Sequence, residues 1–256
     1  LMRKFDKESN TRIWEGTPAI IVRIIVVAFS LYCIWSTLFS VAALEKRLTM
    51  FMALVTIMGY LTYPASRHHV RHNYIPWYDF VLMAVGAGCF LFFCLKYDSL
   101  VKVLTSASKM TPTFTIIGIV GLLCLMELCR RCVGIPILCV AGVLLVYTFS
   151  TGMGVERVLY TLFYTTGGVL GTPVQVCAKY IVVFIIFGAF LERTGIAEFF
   201  IKLANSLVGR FSGGPAKVAV ISSALFGMVS GSSVGNTVTT GSVTIPMMKK
   251  TGYKPE

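Results

Sequence analysis

Apolar residues in this chain come in long blocks, at about 20–44, 48–63, 77–95, 113–128, 133–149 and 180–191 with its flanks. Each approaches the roughly 17 to 25 residues that a helix needs to cross a hydrocarbon core. The blocks predict an all-α, polytopic membrane protein with about six transmembrane helices. Five of them fill the first 150 residues, with the charges confined to short loops, and Trp14, Trp35, Trp77, Tyr78 and Tyr97 fall mostly near their ends. Interfacial aromatic anchors occupy such positions.

Two later stretches depart from this pattern. Residues 155–171 mix apolar and polar side chains too closely for a span. Residues 196–211 place Ile196, Phe199, Phe200, Leu203, Leu207 and Val208 near a 3.6-residue period, with Glu198, Lys202, Asn205 and Arg210 elsewhere. That spacing predicts an amphipathic helix in the membrane interface, with a cytoplasmic linker helix as the plainer alternative. Gly195 before it is a natural helix stop, and Gly213-Gly214-Pro215 after it breaks the chain and starts a new helix.

The final apolar run, 215–248, holds one charged residue, Lys217, at its edge, yet its middle is polar: Gly231-Ser232-Ser233-Val234-Gly235-Asn236-Thr237, then Thr239, Thr240 and Ser242. An unpartnered hydroxyl or amide in hydrocarbon costs several kcal/mol, roughly 4 to 8 in the strictest reference solvent, so the cluster must be buried in protein, hydrated or occupied. The arm 215–230 is about 24 Å long at 1.5 Å per residue, short of a full span, and 237–248 makes a second short arm. The two arms suit a re-entrant hairpin. If the amphipathic helix is cytoplasmic, a hairpin also keeps Lys249, Lys250 and Lys254 inside, where one continuous span would export them.

At such a tip, helix-end carbonyls and hydroxyls suit a hard monovalent cation. Gly231, Ser232, Ser233 and Asn236 are the candidate ion ligands, and Thr237, Thr239 and Thr240 are candidates to face a substrate. A bland alternative stands beside this one: Gly227, Gly231 and Gly235 form a small-residue ladder of the kind that packs helices, and membrane hydroxyls often bond back to their own backbone.

Composition sharpens the class. Of 256 residues, 56% are apolar and 13% charged, with a mean hydropathy of +0.79, which places the chain among polytopic membrane proteins. The net charge of +12 serves orientation. With the N-terminus cytoplasmic, Arg3, Lys4, Lys7, Arg12, Arg67, Arg71, Arg130, Arg131, Arg193, Lys202 and Arg210 lie inside, against Lys46, Arg47, Lys96, Lys102, Lys109 and Arg157 outside. That bias favours an N-inside topology and attraction to anionic lipid, and gives no reason to expect nucleic acid. Most of the eight cysteines lie in or beside apolar spans without paired spacing and read as small hydrophobes; Cys129-Arg-Arg-Cys132 lacks a second pair to close a zinc site. His68, His69 and His72 read as a solvated loop. Glu127 with Arg130 and Arg131 reads as a local helical ion pair. No metal-ligand cluster, Ser-His-Asp set or phosphate loop points to an enzyme.

Three segments carry a family resemblance: Phe187-Gly-Ala-Phe-Leu-Glu-Arg-Thr-Gly195, Gly213-Gly-Pro-Ala-Lys217, and the run from Ser230 through Gly-Ser-Ser-Val-Gly-Asn-Thr-Val-Thr-Thr-Gly to Tyr253. Together they resemble the fused permease subunit of tripartite ATP-independent periplasmic (TRAP) transporters, of the type that works with TAXI-class binding proteins. The likeness is specific over 112–256 and compositional before it. It implies a small-subunit-like region at 1–111 joined to the start of the large permease at 112–256, with the hairpin at 215–248. It also implies a bacterial or archaeal inner-membrane symporter importing an organic acid or similar small solute by an elevator mechanism. The solute would come from an extracytoplasmic TAXI-type binding protein, and Na⁺ would be the coupling ion, with H⁺ as the alternative. Family members build their site from two inverted hairpins, so with Leu1 at the start and Glu256 just after the first, a fragment is expected. Gly235 stands where relatives are expected to carry alanine. Two rivals remain from the residues alone: another hairpin-containing carboxylate carrier, and a non-transporting scaffold packed by its glycines.

Overall fold

A computed structural model describes residues 12, 14–65, 75–97, 111–230 and 233–253, the side chains of 234 and 235 excepted. The basic N-terminal residues through Thr11, the histidine cluster at 68–72, and Gly231, Ser232 and Lys254 lie outside the described residues. Among those described there are helices and turns and no strand. The chain divides into two compact units, 1–179 and 180–256.

The first unit contains α1 (Thr17–Leu38), α2 (Leu44–Thr62), α3 (Trp77–Leu95), α4 (Pro112–Cys132), α5 (Ile135–Ser150) and a short α6 (Val155–Leu159) that continues as a wider π-helical turn, Tyr160–Tyr164. α1, α3 and α4 are long and apolar enough to cross a membrane, as is α7 (Thr172–Arg193), within which the division between units falls. α2 begins Leu44-Glu45-Lys46-Arg47, and α5 is shorter than a full span. α1 fully buries only Cys33, and Ile20, Ile21, Ile24, Val27, Leu31 and Trp35 on it stay exposed. A helix is therefore present at each of the six expected blocks, four of them of spanning length and apolarity, with α7 beginning eight residues earlier than the block at 180–191 suggested. A wide turn at Cys177–Ile181 lets the helix run through Lys179.

The core of this unit is aromatic. Tyr60, Phe90, Phe93 and Phe163 are fully buried, with Phe90 5.1 Å from Phe163 and Phe93 5.3 Å from Tyr164 between ring centroids. The mixed stretch 155–171 supplies two of these rings. It packs on α4 where glycines face it, since a Cβ on Gly121 would lie 2.6 Å from the Phe163 ring, and it turns back on itself at Gly168, where a Cβ would lie 2.3 Å from the Leu162 carbonyl oxygen. The Tyr164 hydroxyl donates to the Phe114 carbonyl at 2.7 Å.

Beside the rings lies an ion cluster. Asp79, 1% exposed, pairs with Arg12 and, at 2.7 Å, with Arg131. Arg131 also reaches Glu127 at 2.8 Å and sits over the Tyr60 ring, 4.9 Å from its centroid. The expected Glu127 pairing is thus one side of a larger network tying three helices to the Arg12 segment, whose backbone N–H donates to the Thr62 carbonyl.

The second unit holds the end of α7, α8 (Ile196–Val208), α9 (Gly214–Gly227) and α10 (Ser233–Lys250). Gly195 and Gly213 adopt positive φ, 83° and 71°, which L residues resist, so both breaks fall where the glycines allow them. α8 is amphipathic as its spacing predicts. Ile201 and Ala204 pack with Val218, Ile221 and Met247 of the following helices, while Phe199, Leu207 and Phe211 stay exposed.

Candidate functional site: the interrupted helical hairpin

α9 and α10 lie side by side and antiparallel. Ser223 meets Asn236 near the connection, Val218 and Met247 share a core cluster further down, and Tyr253 lies near Gly213 at the open end. Arms of 14 and 18 residues are about 21 and 27 Å long, both under a full membrane thickness. Between them, the Val229 and Ser230 N–H groups both donate to the Phe226 carbonyl, tightening the last turn of α9.

The second arm starts at Ser233, four residues before the expected Thr237, so Asn236 and Thr237 belong to its first turns rather than to an unwound tip. The reason is visible in their partners. The Thr237 hydroxyl donates to the Ser233 carbonyl at 3.0 Å, Thr240 to Asn236 at 2.7 Å, Thr244 to Thr240 at 2.8 Å and Ser242 to Thr239 at 2.9 Å. Hydroxyls satisfied by carbonyls three or four residues back do not need to break the helix. With its proton spent in this way, each hydroxyl keeps acceptor lone pairs and offers no donor. A row of acceptors suits a cation.

The candidate residues are only partly brought together. Ser233, exposed, begins α10, and Gly231 and Ser232 precede it outside the described residues. Asn236 is half-buried, with its side chain against α9. Of the substrate candidates, Thr237 is exposed, Thr239 half-buried, and Thr240, 4% exposed, turns into the hairpin.

Three residues join the site that sequence reasoning had not placed there. Ser223 lies within the apolar arm, bonded to Asn236. Gly188 of α7 lets the chain approach the crest: a Cβ there would lie 2.5 Å from the Val229 carbonyl oxygen. One turn on, Glu192 accepts from the Thr239 hydroxyl at 3.4 Å. The spacing of Gly188 and Glu192 puts them on one helix face, a signal present in the sequence but without a partner to give it meaning.

An all-α chain with four helices long and apolar enough to cross a membrane, and with a helical hairpin of two short arms, has the makeup of a polytopic membrane protein. A model of the family described as "Tripartite ATP-independent periplasmic transporter, DctM component" matches residues 120–256, more than half of the chain, and the chain belongs to that family. The family is one of transporters, not enzymes, and the protein is a multi-pass inner-membrane protein. Similar curated proteins include the C4-dicarboxylate TRAP transporter large permease protein DctM of Vibrio cholerae, 31% identical over 142 residues, covering 54% of this chain and 29% of that one. The protein of the same description from Rhodobacter capsulatus is 43% identical over 70 residues, 27% of this chain and 16% of that one. A putative TRAP transporter large permease protein of Haemophilus influenzae is 40% identical over 70 residues, 27% and 18% of the two chains. The chain thus spans less than a third of the length of these relatives. No solved structure matches.

Proposed function

We propose that this chain supplies one hairpin of the transport site of a secondary active importer that moves a small organic acid inward on a Na⁺ gradient. The observation that carries the reading is the interruption between α9 and α10, followed by the Thr237, Thr240 and Ser242 hydroxyls whose donors are spent on their own backbone, so that the start of α10 is rich in acceptors beside the connection. On the sequence motif, Gly231, Ser232, Ser233 and Asn236 form the ion side, and Thr237 and Thr239 form the solute side. Thr240, buried in the hairpin, supports them. Family membership supports an extracytoplasmic solute-binding protein as partner, and the motif resemblance favours its TAXI type. The same resemblance favours a second hairpin of opposite orientation and an elevator motion. The basic flanks favour a cytoplasmic N-terminus.

Uptake by the full-length transporter in proteoliposomes, supplied with its binding protein, tests this. Uptake should follow an imposed sodium gradient and fall sharply in Ser232→Ala while the protein stays folded; sodium-independent uptake, or an unaffected variant, would overturn it. One observation favours a proton as the coupling ion instead: the Glu192 carboxylate beside Thr239.

A further inference from the structure

Asn236 has a titre of contacts that a free ligand side chain would not have. Its Nδ2 donates to the Ser223 carbonyl at 3.0 Å, and its Oδ1 accepts from the Ser223 hydroxyl at 3.3 Å. The Thr240 hydroxyl, whose main acceptor is the Asn236 backbone carbonyl, also approaches Oδ1 at 3.5 Å. A backbone carbonyl can only accept, so the amide can make this double contact in one orientation alone. Gly227 makes the room for it, since a Cβ there would lie 3.1 Å from Nδ2. The glycine ladder therefore has a local reason at this rung: it admits an amide between the arms.

We infer that Asn236 is a positioning residue of the hairpin, and that Ser223 is its partner on the opposite arm. The pair closes the loop that contains the whole connection, Met228 to Ser232, twelve residues lying between the two side chains. Fixing Asn236 against α9 fixes the register of the arms, and with it the distance between the end of α9 and Ser233 at the start of α10. Oδ1, engaged from two sides, acts on the ion through the backbone it holds rather than by direct coordination. The inference rests on the proposed site, to which it adds Ser223 and for which it changes the role of Asn236.

The test uses the full-length transporter and four variants, Ser223→Ala, Ser223→Thr, Asn236→Ala and the double Ser223→Ala/Asn236→Ala, with two readouts. The first is the sodium concentration for half-maximal uptake, separated from maximal rate and from protein amount. Ser223→Ala should raise it roughly three- to tenfold, the range a single neutral hydrogen bond carries. Ser223→Thr, which keeps the hydroxyl, should restore it, and the double variant should be no worse than Asn236→Ala alone. The second readout is hydrogen exchange of the arm amides, which needs no coupling ion. It should rise in Ser223→Ala around the connection, stay unchanged in α8, and return in Ser223→Thr. A wild-type half-saturation in Ser223→Ala beside a large shift in Asn236→Ala would make Asn236 a direct ligand and overturn the inference. Unchanged exchange in Ser223→Ala would overturn it too. If wild-type uptake shows no sodium dependence, the coupling proposal falls, and exchange alone decides the clasp.

Discussion

The two units handle polar groups in apolar surroundings in opposite ways. The first buries full charges and cancels them: Asp79 and the Arg131 side chain are each 1% exposed, paired at 2.7 Å, with Arg12 and Glu127 completing the cluster. The second carries no comparable ion pair among the described residues of its hairpin and relies on neutral hydroxyls turned back on their own helix. Charges bound to each other are committed, because separating them exposes an uncompensated buried ion. A back-bonded hydroxyl commits little, because its lone pairs remain available. The first arrangement suits a rigid support and the second suits a site that fills and empties.

The sharpest way to break this comparison is to remove Asp79. Asp79→Ala would leave Arg12 without its counter-charge and Arg131 with Glu127 alone, a change that costs about 3 to 5 kcal/mol at buried pairs. The expected result is loss of monodisperse protein in detergent, or a large drop in unfolding midpoint, with Asp79→Asn intermediate. A loss below about 1 kcal/mol would mean that water reaches the cluster and that the first unit is not the rigid one.

The next effect belongs to the second unit. Gly188→Ala sets a methyl 2.5 Å from the Val229 carbonyl oxygen, a backbone atom that cannot rotate aside. Overpacking of this kind costs roughly 1 to 3 kcal/mol. Because the strain falls on the crest of the hairpin, uptake should drop further than stability does, measured as transport rate per folded molecule. Equal losses in both would indicate that α7 only packs there.

Smaller still should be the structural cost of removing a hydroxyl. Thr240→Val and Thr237→Val keep side-chain shape and delete a bond to the helix's own carbonyl, which other backbone contacts still satisfy. We expect less than about 1 kcal/mol in stability for each. Uptake should fall clearly in Thr237→Val, whose hydroxyl is exposed at the start of α10. If Thr237→Val leaves uptake intact while destabilising the protein, the hydroxyl row is structural and the contrast between the units disappears.

How much of this was legible in advance follows the range of each interaction. The spans, the stops at Gly195 and Gly213, the amphipathic α8 and the broken last helix depend on local periodicity and on glycine, and all were readable from neighbouring residues. The restart of α10 at Ser233 was not, because a polar cluster looks the same whether its hydroxyls break a helix or bond back to it; only geometry separates the cases. Asp79 sits inside an apolar block and finds Arg12, 67 residues away, and Glu192 finds Thr239 47 residues on. Nothing in the spacing of either residue announces its partner. Ser223 was hidden for the same reason: a serine in an apolar arm gains a role only once α10 is laid against it.

The last prediction concerns the charge of Glu192, the one full charge in these hairpin contacts among the described residues. Glu192→Gln keeps an oxygen to accept from Thr239 and removes only the charge. Thr239 is six residues beyond Ser233, about 9 Å along the helix axis at 1.5 Å per residue. At that separation a carboxylate attracts a cation by roughly 0.5 to 2 kcal/mol, for an effective dielectric between water and protein surface. Glu192 is exposed, so screening holds the effect near the lower end. Under sodium coupling, Glu192→Gln should raise the sodium half-saturation about two- to threefold at low ionic strength, less with added inert salt, and leave the unfolding midpoint unchanged. Proton coupling through this carboxylate predicts something different in kind: glutamine carries no titratable proton, so uptake driven by a pH gradient would collapse whatever the salt. A variant with unaltered kinetics under both gradients would show that the crest does not feel this charge, leaving the Thr239 contact as packing alone.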